Sequence, residues 1–331
     1  MEPHGFENLG GQDKKYDQND LMLGAVAVPV YTHPHVLTDS DAWKIEIEYQ
    51  GKQPACGAHA GAEMKDLAIG SRFSPRFTWG DLKTFDGLPI DSGTDMRSIF
   101  KSITKTGVLD YTQYSNDVSL SEIEYAKAPT AQMRALAGKH SGQGYGFITD
   151  LSWDGLKQFI TDNGPTIILL RVGKEWWTAP NGNSSWAEKD ILPLRTPATV
   201  VSGHFVIAHS FDEQYIYFLN HWSNGWGRKG HGYFGKEYMP FINDAGALFR
   251  LQFKKDLYFG MTDPDVSLLQ KYLNSHGSPV AASGDGSPGH ETNYFGNLTK
   301  AALARFQATH NILPAAGYFG PLTRAYVQIH P

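Results

Sequence analysis

The chain has 331 residues, with 29 Lys and Arg against 34 Asp and Glu and a formal charge of −5. Its length predicts one main domain with a smaller appendage, and 41% hydrophobic against 19% charged residues supply a core and exclude global disorder. An acidic balance with no long basic run excludes a nucleic-acid surface, and no stretch reaches the roughly 18 apolar residues of a membrane span.

Residues 1–35 read as an arm leading into the fold, polar from Met1 to about Asp20 without the apolar centre of an export signal, and apolar and extended only from Leu21 to Tyr31. Cys56 to Ile69 has Ala60, Met64, Leu67 and Ala68 at helical spacing, and Thr94 to Thr106 repeats the pattern with Met96, Ile99, Phe100 and Ile103 before a stop at Gly107. A third helix starts near Ser152, carries Leu156, Phe159 and Ile160, and ends at Asn163-Gly164-Pro165. Trp176, Trp177 and Trp186 belong to a Gly/Asn/Ser-rich insertion read as loop packing, and His33 and His35 flank a loop proline. The runs Thr166–Val172, Val200–Ser210 and Gln214–Asn220 are apolar and β-branched, as strands are. Helices first and strands later indicate an α+β fold.

From about Asp263 the pattern changes. A helix carrying Val266, Leu269 and Leu273 precedes a Gly/Ser/Pro loop, and then Tyr294-Phe295-Gly296-Asn297-Leu298-Thr299 recurs 24 residues later as Tyr318-Phe319-Gly320-Pro321-Leu322-Thr323. Each copy opens a helix, with Leu298, Ala302 and Phe306 lining one apolar face in the first and Leu322, Ala325, Tyr326 and Ile329 in the second. The boundaries read as 1–256 for the main domain, 257–262 for a linker and 263–331 for an all-α module.

The one cysteine, Cys56, stands where a helix begins, so no intramolecular disulfide exists and the helix dipole favours a thiolate there. A small buried filler is the alternative for any single cysteine. Gln50-Gly51 lies just upstream, where a side-chain amide can share an oxyanion with the nucleophile's backbone N–H. His204 opens a strand, and Asn220-His221-Trp222 with Trp226-Gly227 follows a second one. No Asp, Glu or Cys stands at ligand spacing from the other histidines, so no metal and no cofactor are expected.

Gln-Gly before a cysteine, a histidine at a strand start and Asn-x-Trp-x-x-x-Trp-Gly resemble the papain-like cysteine peptidases. The interval of 148 residues from Cys56 to His204 lies within the family's about 130 to 150. The resemblance implies a two-lobed fold, a helical half against a β-barrel-like half. It makes Cys56 the nucleophile, His204 the base, Asn220 its orienting partner and Gln50 the oxyanion donor, with Trp222 covering the His–Asn bond. Gly93, in a loop that pairs with extended substrate, Phe205, after the histidine, and Trp222 are the implied substrate-binding positions. Gln53-Pro54-Ala55-Cys56-Gly57 departs from the family's usual Cys-Gly-Ser-Cys-Trp. A rival register puts His59 at the nucleophile position and makes the protein an inactive peptide-binding relative.

The repeated Tyr-Phe-Gly-x-Leu-Thr turn resembles a small peptidoglycan-binding domain, with Asn293, Tyr294 and Tyr318 as candidate wall contacts. The expected function is a cysteine endopeptidase at or outside the bacterial wall, acting on peptide or protein substrates. A peptidoglycan-cleaving lysin of phage or bacterial origin is the alternative.

Overall fold

The computed structural model describes residues 11–13, 27–29, 47–141, 144–173, 196–251, 253 and 255–329. His33, His35, Trp176, Trp177 and Trp186 lie outside them. The chain divides into two compact units, one of residues 1–14, 29–141 and 147–248 and one of 15–28, 142–146 and 249–331.

The first unit is built on a central helix, α1 (Cys56–Ile69), which buries Cys56 through Lys65 and Ala68 rather than the single stripe expected. The reason is contact on several sides, with the next helix, α2 (Pro75–Leu82), with α3 (Met96–Lys101) and with the sheet. Small residues permit that approach: a Cβ on Gly57 would lie 2.6 Å from Thr94 Cγ2 and 2.7 Å from Ile99 Cδ1. α1 has no side-chain cap, because Ala55 holds the cap position. Its first amides are therefore left for other acceptors.

α2 opens with Ser74 accepting the Phe77 N–H at 3.0 Å and Pro75 in the first turn. α3 follows Asp95, which accepts the Ser98 N–H, and runs into a π-turn over Ser102–Thr106 that Gly107 ends. Two short helices, α4 (Glu122–Tyr125) and α5 (Ala131–Ala137), are capped by Ser121 and Thr130, and α6 (Trp153–Asn163) by Ser152. Phe77, Leu109 and Ala137 form a buried cluster joined by Tyr114, Met133 and Leu136.

Two strands of two and three residues come first in the chain, β1 (Gly11–Gln12) and β2 (Ala27–Pro29); β3 (Thr94–Asp95) precedes α3 and β4 is Gly144–Phe147. The main strands of the first unit are β5 (Thr166–Val172), β6 (Ser202–Phe211), β7 (Tyr215–Leu219), β8 (His231–Gly235) and β9, whose full span is Ile242–Leu251. They lie in the order β9-β5-β6-β7-β8. The β5–β6, β5–β9, β6–β7 and β7–β8 pairs are antiparallel. Ile167 to Leu170 and Phe205 to Ala208 are fully buried, so both faces of β5 and β6 are covered and their sequences read as unbroken apolar runs. The pairing Leu170↔His204 fixes His204 near the start of β6.

Among its described residues the second unit holds three helices, α7 (Pro264–Ser275), α8 (Asn297–Thr309) and α9 (Pro321–Ile329). Leu298 and Leu322, expected in its core, are 57% and 66% exposed, while Thr299 and Thr323 are buried. The cause is a repeated latch. Gln270 donates to Thr299 Oγ1 at 2.9 Å and to the Tyr294 carbonyl at 3.1 Å, and accepts the Thr292 N–H at 2.7 Å. Gln307 donates to Thr323 Oγ1 at 2.9 Å and to the Tyr318 carbonyl at 2.7 Å, and accepts the Gly317 N–H at 2.9 Å. The threonine must face inward to receive its glutamine, which turns the preceding leucine outward.

Candidate active site

Cys56 is fully buried at the start of α1. The backbone N–H groups of Phe205, Gly57 and Cys56 itself face its sulfur, and they work against a burial that pushes the thiol up to about 12. The uncapped amides of α1 thus find their acceptor at the position where charge would develop.

His204 projects from β6 with Nε2 2.8 Å from Asn220 Oδ1, at the end of β7. Asn220 Oδ1 also accepts the His221 backbone N–H at 2.8 Å, which aims the amide oxygen at the ring. Nε2 therefore carries a hydrogen, and Nδ1 is the nitrogen left to exchange a proton. The Trp222 ring lies 5.1 Å from the imidazole, tilted by 31°, and packs edge-on against Trp226. Burial takes His204 down to about 3, and the Asn220 bond opposes the fall.

Gln50 is joined to the same region, its backbone N–H donating to the His221 carbonyl at 2.8 Å. One side-chain amide hydrogen goes to the Gln53 carbonyl at 2.6 Å, so the second is the one that can serve an oxyanion. Phe205 is fully buried. Its backbone N–H faces the Cys56 sulfur. His59, the rival nucleophile position, is a buried hydrogen-bonding residue, with Nδ1 2.9 Å from the Ala55 carbonyl and Asn116 Nδ2 3.2 Å from Nε2.

The Gly93 loop is already paired, and its partner is the chain's own arm. β1 lies parallel to β3 in the register Gly11↔Thr94 and Gln12↔Asp95. Gln12 Nε2 donates to the Ser92 carbonyl at 2.7 Å, while Lys83 Nζ donates to the Gly93 carbonyl from the other side. Gly11 also lies against Gly203, such that a Cβ on Gly11 would be 2.6 Å from the Gly203 carbonyl carbon. Asp13 then accepts from Arg171 and from Asn243 Nδ2, the latter at 3.2 Å. Three residues of the arm therefore span from the Gly93 loop to the residue before His204.

Two buried side chains of the site escaped the sequence reading. His221 stood out only as a neighbour of Asn220, and Glu63 not at all. Yet His221 Nδ1 lies 2.8 Å from Glu63 Oε2 with both side chains at 0% exposure. The available signal was spacing, since Glu63 falls two helical turns after Cys56 on the same face of α1.

Comparison with solved structures finds a similar fold in xylellain, a cysteine protease from Xylella fastidiosa. The identity is 19%, the match covers 75% of this chain and 97% of that chain, and the TM-score is 0.58. A procathepsin B from Trypanosoma congolense matches at 13% identity over 74% of this chain and 87% of that one, with a TM-score of 0.51. The fold is papain-like. The papain-like fold is the α+β architecture expected from the order of helices and strands. Residues 262–327 match the family model of the peptidoglycan binding domain. A sequence comparison with curated proteins returned no match.

Within the second unit, Tyr294 and Tyr318 are 50% and 45% exposed. The Tyr318 hydroxyl donates to Asp256, and the Asn293 backbone carbonyl accepts the Asp263 N–H at 2.8 Å. Among the described residues, no cluster of three or more His, Cys, Asp or Glu is placed to hold a metal ion. No helix among them is long and apolar enough to cross a membrane.

Proposed function

We propose that the protein is a cysteine endopeptidase whose papain-like domain, residues 1–256, is joined by 257–262 to a wall-binding module, 263–331. The observation that carries this reading is the His204 Nε2 to Asn220 Oδ1 contact of 2.8 Å beside Trp222, with the Cys56 sulfur facing the backbone N–H of the next residue, Phe205.

Cys56 gives its proton to His204 Nδ1, and the thiolate attacks a peptide carbonyl carbon. The oxyanion forms where the second Gln50 amide hydrogen and the Cys56 backbone N–H can donate to it. His204 then protonates the leaving amine, the C–N bond breaks and a thioester remains. A water that loses its proton to the same nitrogen cleaves the thioester and restores the thiol. Asn220 keeps the imidazole in one tautomer through these transfers, and Trp222 shields their contact from water. No step calls for a metal or cofactor.

The peptidoglycan-binding module would hold the enzyme at the cell wall and raise its local concentration there, outside the cytoplasm. Exposed Tyr294, Tyr318 and Asn293 are the proposed wall contacts, and wall-associated proteins or peptidoglycan stem peptides the proposed substrates.

The test is intact-mass analysis after brief treatment with an epoxide thiol inhibitor. Single labelling that Cys56→Ala removes and His204→Ala slows to the rate of a free thiol supports the reading. Wild-type labelling no faster than a free thiol refutes it.

A further inference from the structure

His221 is tied to every candidate catalytic element. Its backbone N–H donates to Asn220 Oδ1 at 2.8 Å, and its carbonyl accepts the Gln50 N–H at 2.8 Å. Its ring nitrogen Nε2 lies 3.2 Å from the carbonyl of Phe205, the residue whose N–H faces the Cys56 sulfur. Its other nitrogen, Nδ1, lies 2.8 Å from Glu63 Oε2, on the helix that carries Cys56. The remaining Glu63 oxygen accepts the Glu48 N–H at 3.1 Å.

These contacts fix a proton count. A carbonyl only accepts, so Nε2 carries a hydrogen. Nδ1 and Oε2 meet at ion-pair distance without the alignment of a full hydrogen bond, and a proton on one of the two atoms relieves the repulsion that a bare lone pair facing a carboxylate would cause in a dry site.

We infer that Glu63 and His221 form a buried proton-sharing pair that positions the triad, with His221 bracing Gln50, Phe205 and Asn220 and Glu63 fixing the His221 tautomer. The role in catalysis rests on the peptidase reading above; the pair itself rests on the distances alone. His221 and Glu63 are positioning residues, since neither faces the reacting sulfur.

Burial puts the shared proton on the carboxyl, holding Glu63 up to about 8 and His221 down to about 3. The ionisable groups facing the pair are His59, His204, Glu48 with its partner Arg72, and Asp66. A neutral pair adds no second positive charge beside His204 when that ring is protonated during turnover. If Glu63 loses its proton, His221 must move its hydrogen to Nδ1 to face the carboxylate, and the Phe205 carbonyl loses its donor.

Two readouts on the full chain separate the pair from the chemistry. In nitrogen-15 NMR of the imidazoles, with His221→Gln assigning the signal, His221 is expected to be neutral and protonated on Nε2 at neutral pH, changing form as pH passes about 8. A doubly protonated ring at neutral pH, or one titrating near 6.5 like an ordinary histidine, overturns the inference whatever the activity.

The second readout is the rate of single Cys56 labelling. Glu63→Gln, whose amide can donate to Nδ1 while its oxygen accepts the Glu48 N–H, is expected to keep the rate within about twofold and to remove the change near pH 8. Glu63→Leu is expected to lower it roughly 10- to 100-fold. Equal losses in both variants, or no loss in a folded Glu63→Leu protein, overturn the positioning role. If the NMR result is as expected but wild-type labelling is no faster than a free thiol, the peptidase reading fails. The pair then stands as a brace of the fold.

Discussion

Gly11 of the arm and Gly203, the residue before His204, meet backbone to backbone: a Cβ on Gly11 would lie 2.6 Å from the Gly203 carbonyl carbon. The arm is held there by β-pairing to Thr94 and Asp95 and by Asp13 against Arg171, with Asp13 63% exposed. An ion pair so exposed contributes about 0.2 to 1 kcal/mol. Asp13→Ala should therefore speed Cys56 labelling by up to roughly fivefold, and removal of residues 1–13 by more. Stopped-flow or quenched labelling read by intact mass decides it. Unchanged rates in both variants would show that the arm does not limit access.

Asn220→Ala removes the acceptor that holds His204 Nε2 at 2.8 Å and leaves the ring free to turn. Labelling should fall roughly 10- to 100-fold with the fold intact, as followed by circular dichroism. Trp222→Ala keeps the contact but admits water to it, so a smaller loss is expected. A larger loss in Trp222→Ala than in Asn220→Ala would contradict the assignment.

Stability should pass through a maximum near neutral pH. His59, His204 and His221 are lowered to about 3 and His209 is lowered too, each by burial, so they add stability above the unfolded value of 6.5. That contribution is lost as pH falls from 6.5 toward the folded values, because the unfolded chain takes up protons the native one refuses. Glu63, raised to about 8, and Asp66, raised by burial, act in the other sense: they stabilise at low pH, and the contribution is lost as pH rises through the folded value. On the acid side the buried histidines outweigh the raised carboxyls, and on the alkaline side the carboxyls act in the same sense as Cys56, whose thiol burial pushes up to about 12. Urea unfolding at a series of pH values should show the sign change, and Glu63→Gln should flatten the alkaline limb.

Gln307 fills three hydrogen-bonding places inside the second unit, to Thr323, the Tyr318 carbonyl and the Gly317 N–H. Gln307→Ala leaves buried donors and acceptors unmet and should cost the module about 2 to 3 kcal/mol. Binding to isolated peptidoglycan sacculi should weaken or vanish on warming, while Cys56 labelling stays at the wild-type rate. Loss of labelling as well would mean that the two units do not unfold independently.

Local patterns were legible where one residue type forces one geometry. Cys56–Ile69 forms a helix over those limits, and Ser152 caps α6 as its position announced. Ser74-Pro75, Ser121 with Glu124, and Thr130 carried equally plain start signals for α2, α4 and α5, but these helices lack the length that makes an apolar period visible. Leu298 and Leu322 were placed on the wrong side because spacing alone cannot weigh a leucine against a threonine that a distant glutamine requires inside. In the site, Asn220 and Trp222 were readable as a motif. Glu63 and His221 were not, since their meaning comes from a contact across 158 residues of sequence.

On the proposed reading, in which the Gly93 loop binds extended substrate, the arm between that loop and Gly203 makes substrate binding a competition. A peptide that enters there meets a rival tethered to the same molecule, present at an effective concentration that dilution of the protein cannot lower. Its apparent affinity is the intrinsic one scaled by the fraction of molecules whose arm is out. Salt, by screening Asp13 from Arg171, shifts that fraction without touching the sulfur. If the chain is the proposed peptidase, a Michaelis constant measured on it would then be as much a property of residues 11–13 as of the substrate-binding residues they lie against.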